Sequence, residues 1–173
     1  MDRSCPNDCS GRGQCMAGGV CNCNCGYSGE SCATQEFVIK DLLSCAANYV
    51  SLGSTVGQPN ILGNSAPDVF YKFTLSQATA AAFSLCHQNP KYDAFLRLYN
   101  RCPDDRSGSS LAYNDDGPRC SASGASMSPS RIPYSGTRSM SAGTYYLHIE
   151  GYSSRVGQYG LKTLFNNPHA CNA

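Results

Sequence analysis

Two pairs of adjacent aspartates, Asp104–Asp105 and Asp115–Asp116, are the acidic groups of this chain whose spacing could do chemistry. The second pair follows Asn114 in a turn-forming run, and Asp93 starts a neighbouring predicted strand. Carboxylate and amide oxygens are the hard ligands that calcium prefers, so Asp93, Asp115 and Asp116 are candidate calcium ligands. In the competing interpretation, the aspartates accept backbone N–H bonds and shape the turn.

Catalytic motifs are missing from the sequence. It contains no G-x-S-x-G elbow, no P-loop and no H-E-x-x-H pair. His148 could in principle act as a base, but at period two it lies with Tyr146 and Glu150 on the outward side of a predicted strand. We interpret it as an exposed cross-strand histidine, and we predict that the chain is not an enzyme.

The twelve cysteines are the strongest compositional signal. An even number in a short chain indicates a disulfide framework formed in an oxidising compartment. The alternative is zinc ligation, but Cys21, Cys23 and Cys25 are too closely spaced for the usual C-x2-C pairs. We therefore expect a secreted or cell-surface location, although the chain begins Met1-Asp-Arg-Ser-Cys without the apolar segment of a signal peptide.

Composition excludes two further classes. Charged residues make up 14% of the 173 residues and the net charge is +1, so the basic excess of a nucleic-acid-binding protein is missing. No apolar run is long enough for a transmembrane segment. Hydrophobic residues make up 41%, which is enough to fill the core of one medium domain beside a small one.

The first 33 residues carry seven cysteines with a distinctive spacing. Without Cys25 the pattern is C-x3-C-x5-C-x5-C-x-C-x8-C, and glycine motifs stand at 10–14 and 26–29. This segment resembles an epidermal-growth-factor-like (EGF-like) module. The resemblance implies disulfides between Cys5 and Cys15, Cys9 and Cys21, and Cys23 and Cys32. Bridges must supply much of the stability of a unit this small.

Cys25 is the seventh cysteine of that module, so we predict that it bonds to a cysteine outside it. Cys86 and Cys102 flank a predicted strand, and we pair them with each other. The pairing of the others stays open, with one bridge from the first module to the larger domain. The downstream cysteines are Cys45, Cys86, Cys102, Cys120 and Cys171.

The rest of the chain has the pattern of short strands. Alternation at period two with Val, Tyr, Phe and Leu predicts half-buried strands separated by Gly-, Pro-, Asn- and Ser-rich turns. Such a series predicts an antiparallel β-sandwich with little helix, in which Phe73 and Leu96 are core residues. The predicted strands are Asp68–Leu75, Ala81–Cys86, Tyr92–Tyr99, Gly143–Glu150 and Gln158–Phe165.

Several of these segments also carry a family resemblance. D-V-F-Y-K-F-T-L, Y-D-A-F-L-R-L-Y, A-Y-N-D-D-G, S-A-G-T-Y-Y-L-H-I-E-G-Y and G-Q-Y-G-L follow in that order. Together, over about residues 45–165, they resemble the bacterial pre-peptidase C-terminal domain family. The resemblance implies a secreted β-sandwich that serves as a non-catalytic accessory or adhesion module. The expected fold is therefore mainly β: an EGF-like disulfide module at 1–33, a connector at 34–44 and a jelly-roll-like sandwich at 45–173.

The connector at 34–44 is unusually apolar for a linker. In one arrangement its residues Phe37, Ile39 and Leu42 pack on their own sandwich. In the other they dock onto the next copy, and such a head-to-tail contact propagates as a fibre unless it closes into a ring. We predict a non-catalytic extracellular structural or adhesion module, with head-to-tail self-assembly into a fibre as one form of that function.

The alternative function is a carbohydrate- or matrix-binding accessory domain of a larger secreted protein. Eleven tyrosines and no tryptophan supply its stacking surfaces, and Tyr113, Tyr134 and Tyr152 lie in or beside predicted loops. In the competing interpretation these tyrosines are rim or core residues whose hydroxyl groups face water.

Overall fold

The computed structural model describes residues 4–42, 45–46, 49–87, 93–103, 110–115, 131–132 and 139–172. The chain forms two compact units, Met1–Ile39 and Lys40–Ala173. The boundary between them falls inside the predicted connector at 34–44. The secondary structure of the chain is mainly β, as predicted, and no helix in the described part of the chain is long and apolar enough to cross a membrane.

The first unit is held together by disulfides. Its strands form two antiparallel pairs, β1 (Gly13–Met16) with β2 (Val20–Cys23) and β3 (Tyr27–Ser28) with β4 (Thr34–Gln35). The cluster of buried residues consists of Cys5, Cys9 and Cys32, so sulfur atoms take the place of an apolar core. The bridges are Cys5–Cys15, Cys9–Cys21 and Cys23–Cys32, the same pairs that the EGF-like resemblance implies.

The second unit is an antiparallel β-sandwich. The first sheet has the order β10-β9-β12-β7-β14 with β5 also beside β7, and the second sheet has the order β11-β8-β13-β6. The strands are β5 (Ile39–Asp41), β6 (Tyr49–Ser54), β7 (Asp68–Leu75), β8 (Ala81–His87), β9 (Ala94–Tyr99), β10 (Ala112–Asn114), β11 (Arg131–Ile132), β12 (Gly143–Gly151), β13 (Gln158–Phe165) and β14 (Cys171–Asn172). In jelly rolls the chain alternates between two sheets. The strand order of this unit is compatible with that description, and the jelly-roll-like fold stays a prediction.

The core lies between the two sheets and follows the predicted alternation. Phe73 is 1% exposed and Leu96 is 0% exposed, which confirms both as core residues. The hydroxyl groups of Tyr71 in the first sheet and Tyr159 in the second lie 2.9 Å apart, so these two buried hydroxyl groups are hydrogen-bonded to each other. Gly53 on β6 leaves room for the Tyr159 ring, since a Cβ atom there would lie 2.4 Å from it.

The chain also contains strands that its sequence pattern does not predict. β6 is one, and it forms an edge of the second sheet, because among the described strands it pairs only with β13. The C-terminal residues likewise form a 3-10 turn, Pro168–Ala170, and the short strand β14, which pairs with β7. A disulfide between Cys45 and Cys171 fixes this tail.

Two predicted disulfides remain predictions. Cys25 and Cys102 are both disulfide-bonded, and none of the described cysteines is a free thiol. The side chain of Cys86 and the whole of Cys120 lie outside the described residues. The pairing of Cys86 with Cys102, and the bridge from Cys25 to the sandwich, are therefore not tested.

Two of the three candidate docking residues of the apolar connector are buried. Phe37 is 5% exposed and Leu42 is 0% exposed, while Ile39 is half-buried. Leu42 joins the core of its own sandwich, and its amide donates to the Lys72 carbonyl at 2.9 Å. Phe37 and Leu42 are therefore buried within this chain, and docking of the connector onto a second copy stays a prediction.

Candidate functional site

Ionisable and aromatic side chains cluster on the outer side of the first sheet. The outer side of an ordinary solvent-exposed sheet carries separate polar side chains instead. Strand register places Tyr113, Arg97, His148 and Phe70 opposite one another across β10, β9, β12 and β7. Residues directly opposite in an antiparallel pair lie on the same face of the sheet. The neighbouring row contains Phe95, Glu150 and Asp68.

A buried pair, Asp68 and His148, occupies the middle of this side. The His148 Nε2 atom lies 2.6 Å from Asp68 Oδ1, and both side chains are 0% exposed. The other carboxylate oxygen, Oδ2, accepts hydrogen bonds from the backbone amides of Ile61 at 2.5 Å and Leu62 at 2.9 Å. Asp68 thereby fixes the segment that precedes β7 against this side of the sheet.

Glu150 extends the pair into a network. One carboxylate oxygen forms an ion pair with Arg97 Nη1, and the other accepts a hydrogen bond from the Asn64 side-chain amide. The same Arg97 Nη1 atom lies 3.4 Å from His148 Nδ1. Because a guanidinium group can only donate, Nδ1 is the acceptor, and the imidazole proton is assigned to Nε2, which donates to Asp68.

These positions overturn one expectation from the sequence. His148 and Glu150 do lie on the outer side of the sheet, but they are 0% and 1% exposed rather than solvated. The segment containing Ile61, Leu62 and Asn64 donates hydrogen bonds to Asp68 and Glu150 in place of water, and the His148 ring stacks on Phe70. The period-two pattern correctly assigns His148 and Glu150 to the outer side of the strand. It cannot predict that other parts of the chain bury that side.

Burial and hydrogen bonding set the protonation states of the pair. Burial lowers the pKa of His148 below its ordinary value, against the opposing effect of Asp68, and the Arg97 charge lowers it further. For Asp68, burial alone would raise the pKa, but the hydrogen bonds from His148, Leu62 and Ile61 outweigh burial and lower it. The pair is therefore a neutral imidazole and a carboxylate.

The network has the residue types of a metal site or a catalytic dyad, but its geometry fits neither. Asp68, His148 and Glu150 bring ligand atoms within 4.8 Å of one another. Each of these atoms already has a protein partner, and the Arg97 cation already balances one carboxylate. Both ring nitrogens of His148 are occupied as well, so neither is placed to take a proton from a substrate. The network acts as a fixed support.

What this support holds in place is an exposed aromatic surface. The Arg97 guanidinium lies over the Phe95 ring at 4.7 Å, and Phe95 stacks on Tyr152 with ring centroids 5.8 Å apart. Tyr113, opposite Arg97, is 68% exposed and Tyr152 is 48% exposed. We call Tyr113, Phe95, Arg97 and Tyr152 the aromatic face. Tyr134, the third tyrosine predicted to line a binding surface, lies outside the described residues.

The outer side of the second sheet carries a different exposed surface. Leu52 on β6 is 63% exposed and Leu164 on β13 is 39% exposed. Val50 is half-buried and lies opposite the exposed Lys162, on the same side. We call Val50, Leu52, Leu164 and Lys162 the leucine face. β6 contains no proline or charged residue, which are devices that usually protect an edge strand from pairing.

The candidate calcium ligands are only partly described. Asn114 pairs with Leu96, so the register brings Asp115 and Asp93 to the same end of the β9–β10 pair. Within the described ranges, neither belongs to a group of three metal-ligating side chains, and Asp116 lies outside those ranges. The calcium site stays a prediction. The other cluster of ligand atoms, at Cys5, Cys9 and Cys21, consists of disulfide sulfurs.

No family model and no curated protein matches this chain. Among solved structures it is similar to the crystal structure of Aeromonas hydrophila PliG, a periplasmic lysozyme inhibitor of g-type lysozyme. The identity is 7%, the TM-score is 0.47, and the match covers 75% of this chain and 97% of that chain. A likeness at this level carries no argument about what this chain binds.

Proposed function

We propose that this chain is a non-catalytic extracellular structural module that associates with copies of itself, the aromatic face of one copy contacting the leucine face of the next. The supporting observation is that both sheets of one sandwich present large exposed apolar side chains on their outer sides. Because the two faces differ, a contact between them is heterologous and leaves a free face at each end. Such a contact propagates as a fibre unless it closes into a ring.

The chemistry of the two faces is complementary. Tyrosine, phenylalanine and arginine are enriched in protein interfaces, and the aromatic face is built of these residues. The exposed Lys162 supplies a cation that can lie over a tyrosine ring, an arrangement that stabilises contacts by about 0.5–1 kcal/mol at exposed sites. Arg97 is already held by Glu150, so binding has less side-chain freedom left to remove.

Two further features support the extracellular, non-catalytic part of the proposal. Disulfides occur in both units, which is typical of an oxidising compartment outside the cytoplasm. The buried network contains the Asp-His pair of a catalytic site, but its hydrogen bonds are all directed to its own chain. Its role in the proposal is to keep the aromatic face rigid.

Sedimentation velocity on the oxidised protein at increasing concentration tests the proposal. We expect the parent to form a growing series of oligomers. Tyr113→Ser with Tyr152→Ser, or Leu52→Ser with Leu164→Ser, should each stop the growth. Val20→Ser is the matched control in the first unit, because Val20 is 63% exposed, the same fraction as Leu52. A parent that stays monomeric at every concentration would refute self-association.

Binding of a carbohydrate or matrix component is the second candidate function, favoured by the exposed rings of Tyr113 and Tyr152. Aromatic rings bind sugars by stacking on their apolar faces, so the same double variant tests this function. A glycan array probed with monomeric parent should then give signals that Tyr113→Ser with Tyr152→Ser removes. The leucine-face variant should keep them. A blank array with the parent would eliminate this alternative.

A further inference from the structure

A pocket of about 420 Å³ opens at one end of the sandwich, between the two sheets. We call it the end pocket. Its walls come from β8 and β11 of the second sheet and from β9, β10 and β12 of the first, with the turn before β12. Its lining residues are Ala81, Leu98, Asn100, Leu111, Ala112, Ile132, Ser139, Met140, Ser141 and Tyr145.

We propose that the end pocket binds a small uncharged molecule with an apolar body and one hydrogen-bonding end. The floor is apolar, since Leu98, Ile132 and Tyr145 are buried core residues. The mouth is mixed: Leu111 is 45% exposed, and three polar residues, Asn100, Ser139 and Ser141, are exposed around it. This arrangement receives an apolar body first and leaves a polar end at the rim.

The charge of the lining selects against ions. Among the lining residues that the structure describes, none is Asp, Glu, Lys, Arg or His. A carboxylate or an ammonium group entering the pocket would lose water without gaining a charged partner, which costs far more than burial of a neutral hydroxyl group. The volume falls within the range of about 300–1,000 Å³ that is usual for small-molecule sites.

Hydrogen bonds hold the walls in position. The Tyr145 hydroxyl donates to the Ser141 carbonyl at 2.9 Å, which ties the floor to the rim. The Leu111 amide donates to the Leu98 carbonyl at 2.7 Å. Met140 is fixed by two backbone hydrogen bonds with Thr79, at 2.8 and 3.0 Å, while its unbranched side chain can adapt to a ligand. The opening is therefore built into the ends of both sheets.

The matched probes are 4-methylbenzyl alcohol and 4-methylbenzoate, which share one apolar body and differ in the charge of the polar end. Titration of protein labelled at its Leu, Ile and Met methyl groups, followed by NMR, measures both affinities. We expect the alcohol to give saturable shifts at Leu98, Leu111, Ile132 and Met140. The carboxylate should bind more than about tenfold more weakly, because its charge would be desolvated.

Two variants locate the binding site. Ala112→Leu fills the pocket and should weaken binding of the alcohol more than about tenfold, the equivalent of about 1.4 kcal/mol. Leu111→Ser should also weaken binding of the alcohol. Leu111 lies at the exposed mouth, so this variant disturbs the core less than Ala112→Leu does. Val20→Ser, at an exposed position in the first unit, is the control and should leave the affinity unchanged.

The proposal would be overturned by equal affinities for alcohol and carboxylate, by binding that neither pocket variant weakens, or by no saturable shift. It would also be overturned if another segment of this chain filled the pocket and the alcohol did not displace it. That outcome would appear as contacts between this segment and the pocket methyl groups, unchanged when the alcohol is added. The titrations are run in the Leu52→Ser, Leu164→Ser background, which lacks one of the two faces, so that these outcomes do not depend on self-association.

Discussion

Replacing Glu150 by Gln removes one charge from the network beneath the aromatic face while keeping the size of the side chain. Glu150 is 1% exposed and pairs with Arg97 on one oxygen and Asn64 on the other. The amide oxygen of Gln can still accept from Asn64. The Arg97 guanidinium, however, is left beside a neutral amide and the neutral imidazole of His148.

The magnitude follows from the burial of the two partners. Breaking a buried ion pair by removing one charge typically costs about 3–5 kcal/mol, because the remaining charge is left without compensation. The Arg97 side chain is 25% exposed, so water solvates part of that charge and the lower end applies. We expect a loss of about 3 kcal/mol in the free energy of unfolding, or about 10 °C in the unfolding midpoint at about 3 °C per kcal/mol.

Denaturant and thermal unfolding of the oxidised protein measure this loss, and Asp41→Asn is the matched control. Asp41 forms an ion pair with Lys72 at 3.3 Å, but the two side chains are 68% and 45% exposed. Exposed pairs contribute about 0–1 kcal/mol, so this variant should unfold close to the parent. If Glu150→Gln and Asp41→Asn lower the free energy of unfolding by the same amount, within about 0.5 kcal/mol, the buried network does not stabilise the outer side of the first sheet as we infer.

Three further predictions concern stability. Phe73→Ala should lower the free energy of unfolding by about 3–5 kcal/mol, because it leaves a cavity in the core, and a variant that melts with the parent would contradict the strand phase. Gly53→Ala should cost about 1–3 kcal/mol by forcing Tyr159 to shift, measured by the same unfolding curves, and an unchanged midpoint would refute the close approach. Because the pKa of His148 is lowered on folding, its contribution is fully present above its ordinary value of 6.5 and is lost as pH falls through the folded pKa. The urea midpoint should therefore fall from pH 7.5 to 5, His148→Gln should flatten that slope, and the lowered pKa of Asp68 continues the loss below its ordinary value of 3.8. A urea midpoint of the parent that stays constant from pH 7.5 to 5 would contradict the lowered pKa of His148.

Local pattern is enough to predict much of the architecture. β7 and β13 have the predicted bounds, because each is a long alternating strand flanked by turn residues. Phe73 and Leu96 are buried for the same reason: the period of two assigns them to the inner side. The cysteine spacing of the first unit is informative because so small a unit has few other ways to be stable.

Long-range contacts account for what the sequence did not predict. β6 has the sequence Y-V-S-L-G-S, in which Gly and Ser obscure the alternation, and it becomes a strand by pairing with β13 more than a hundred residues later. The buried network depends on long-range partners as well: Glu150 accepts a hydrogen bond from Asn64, which lies in an Asn-, Gly-, Ser- and Pro-rich segment that resembles an ordinary loop. The aromatic face likewise combines residues from three separate parts of the chain.

The most direct test of head-to-tail association mixes two variants that each lack one face. Tyr113→Ser with Tyr152→Ser keeps the leucine face, and Leu52→Ser with Leu164→Ser keeps the aromatic face. Each variant alone should sediment as a monomer, because its one intact face has no partner. An equimolar mixture should give a dimer and nothing larger, since one contact uses both intact faces. A mixture that stays monomeric, or a single variant that still forms oligomers, would contradict the central claim.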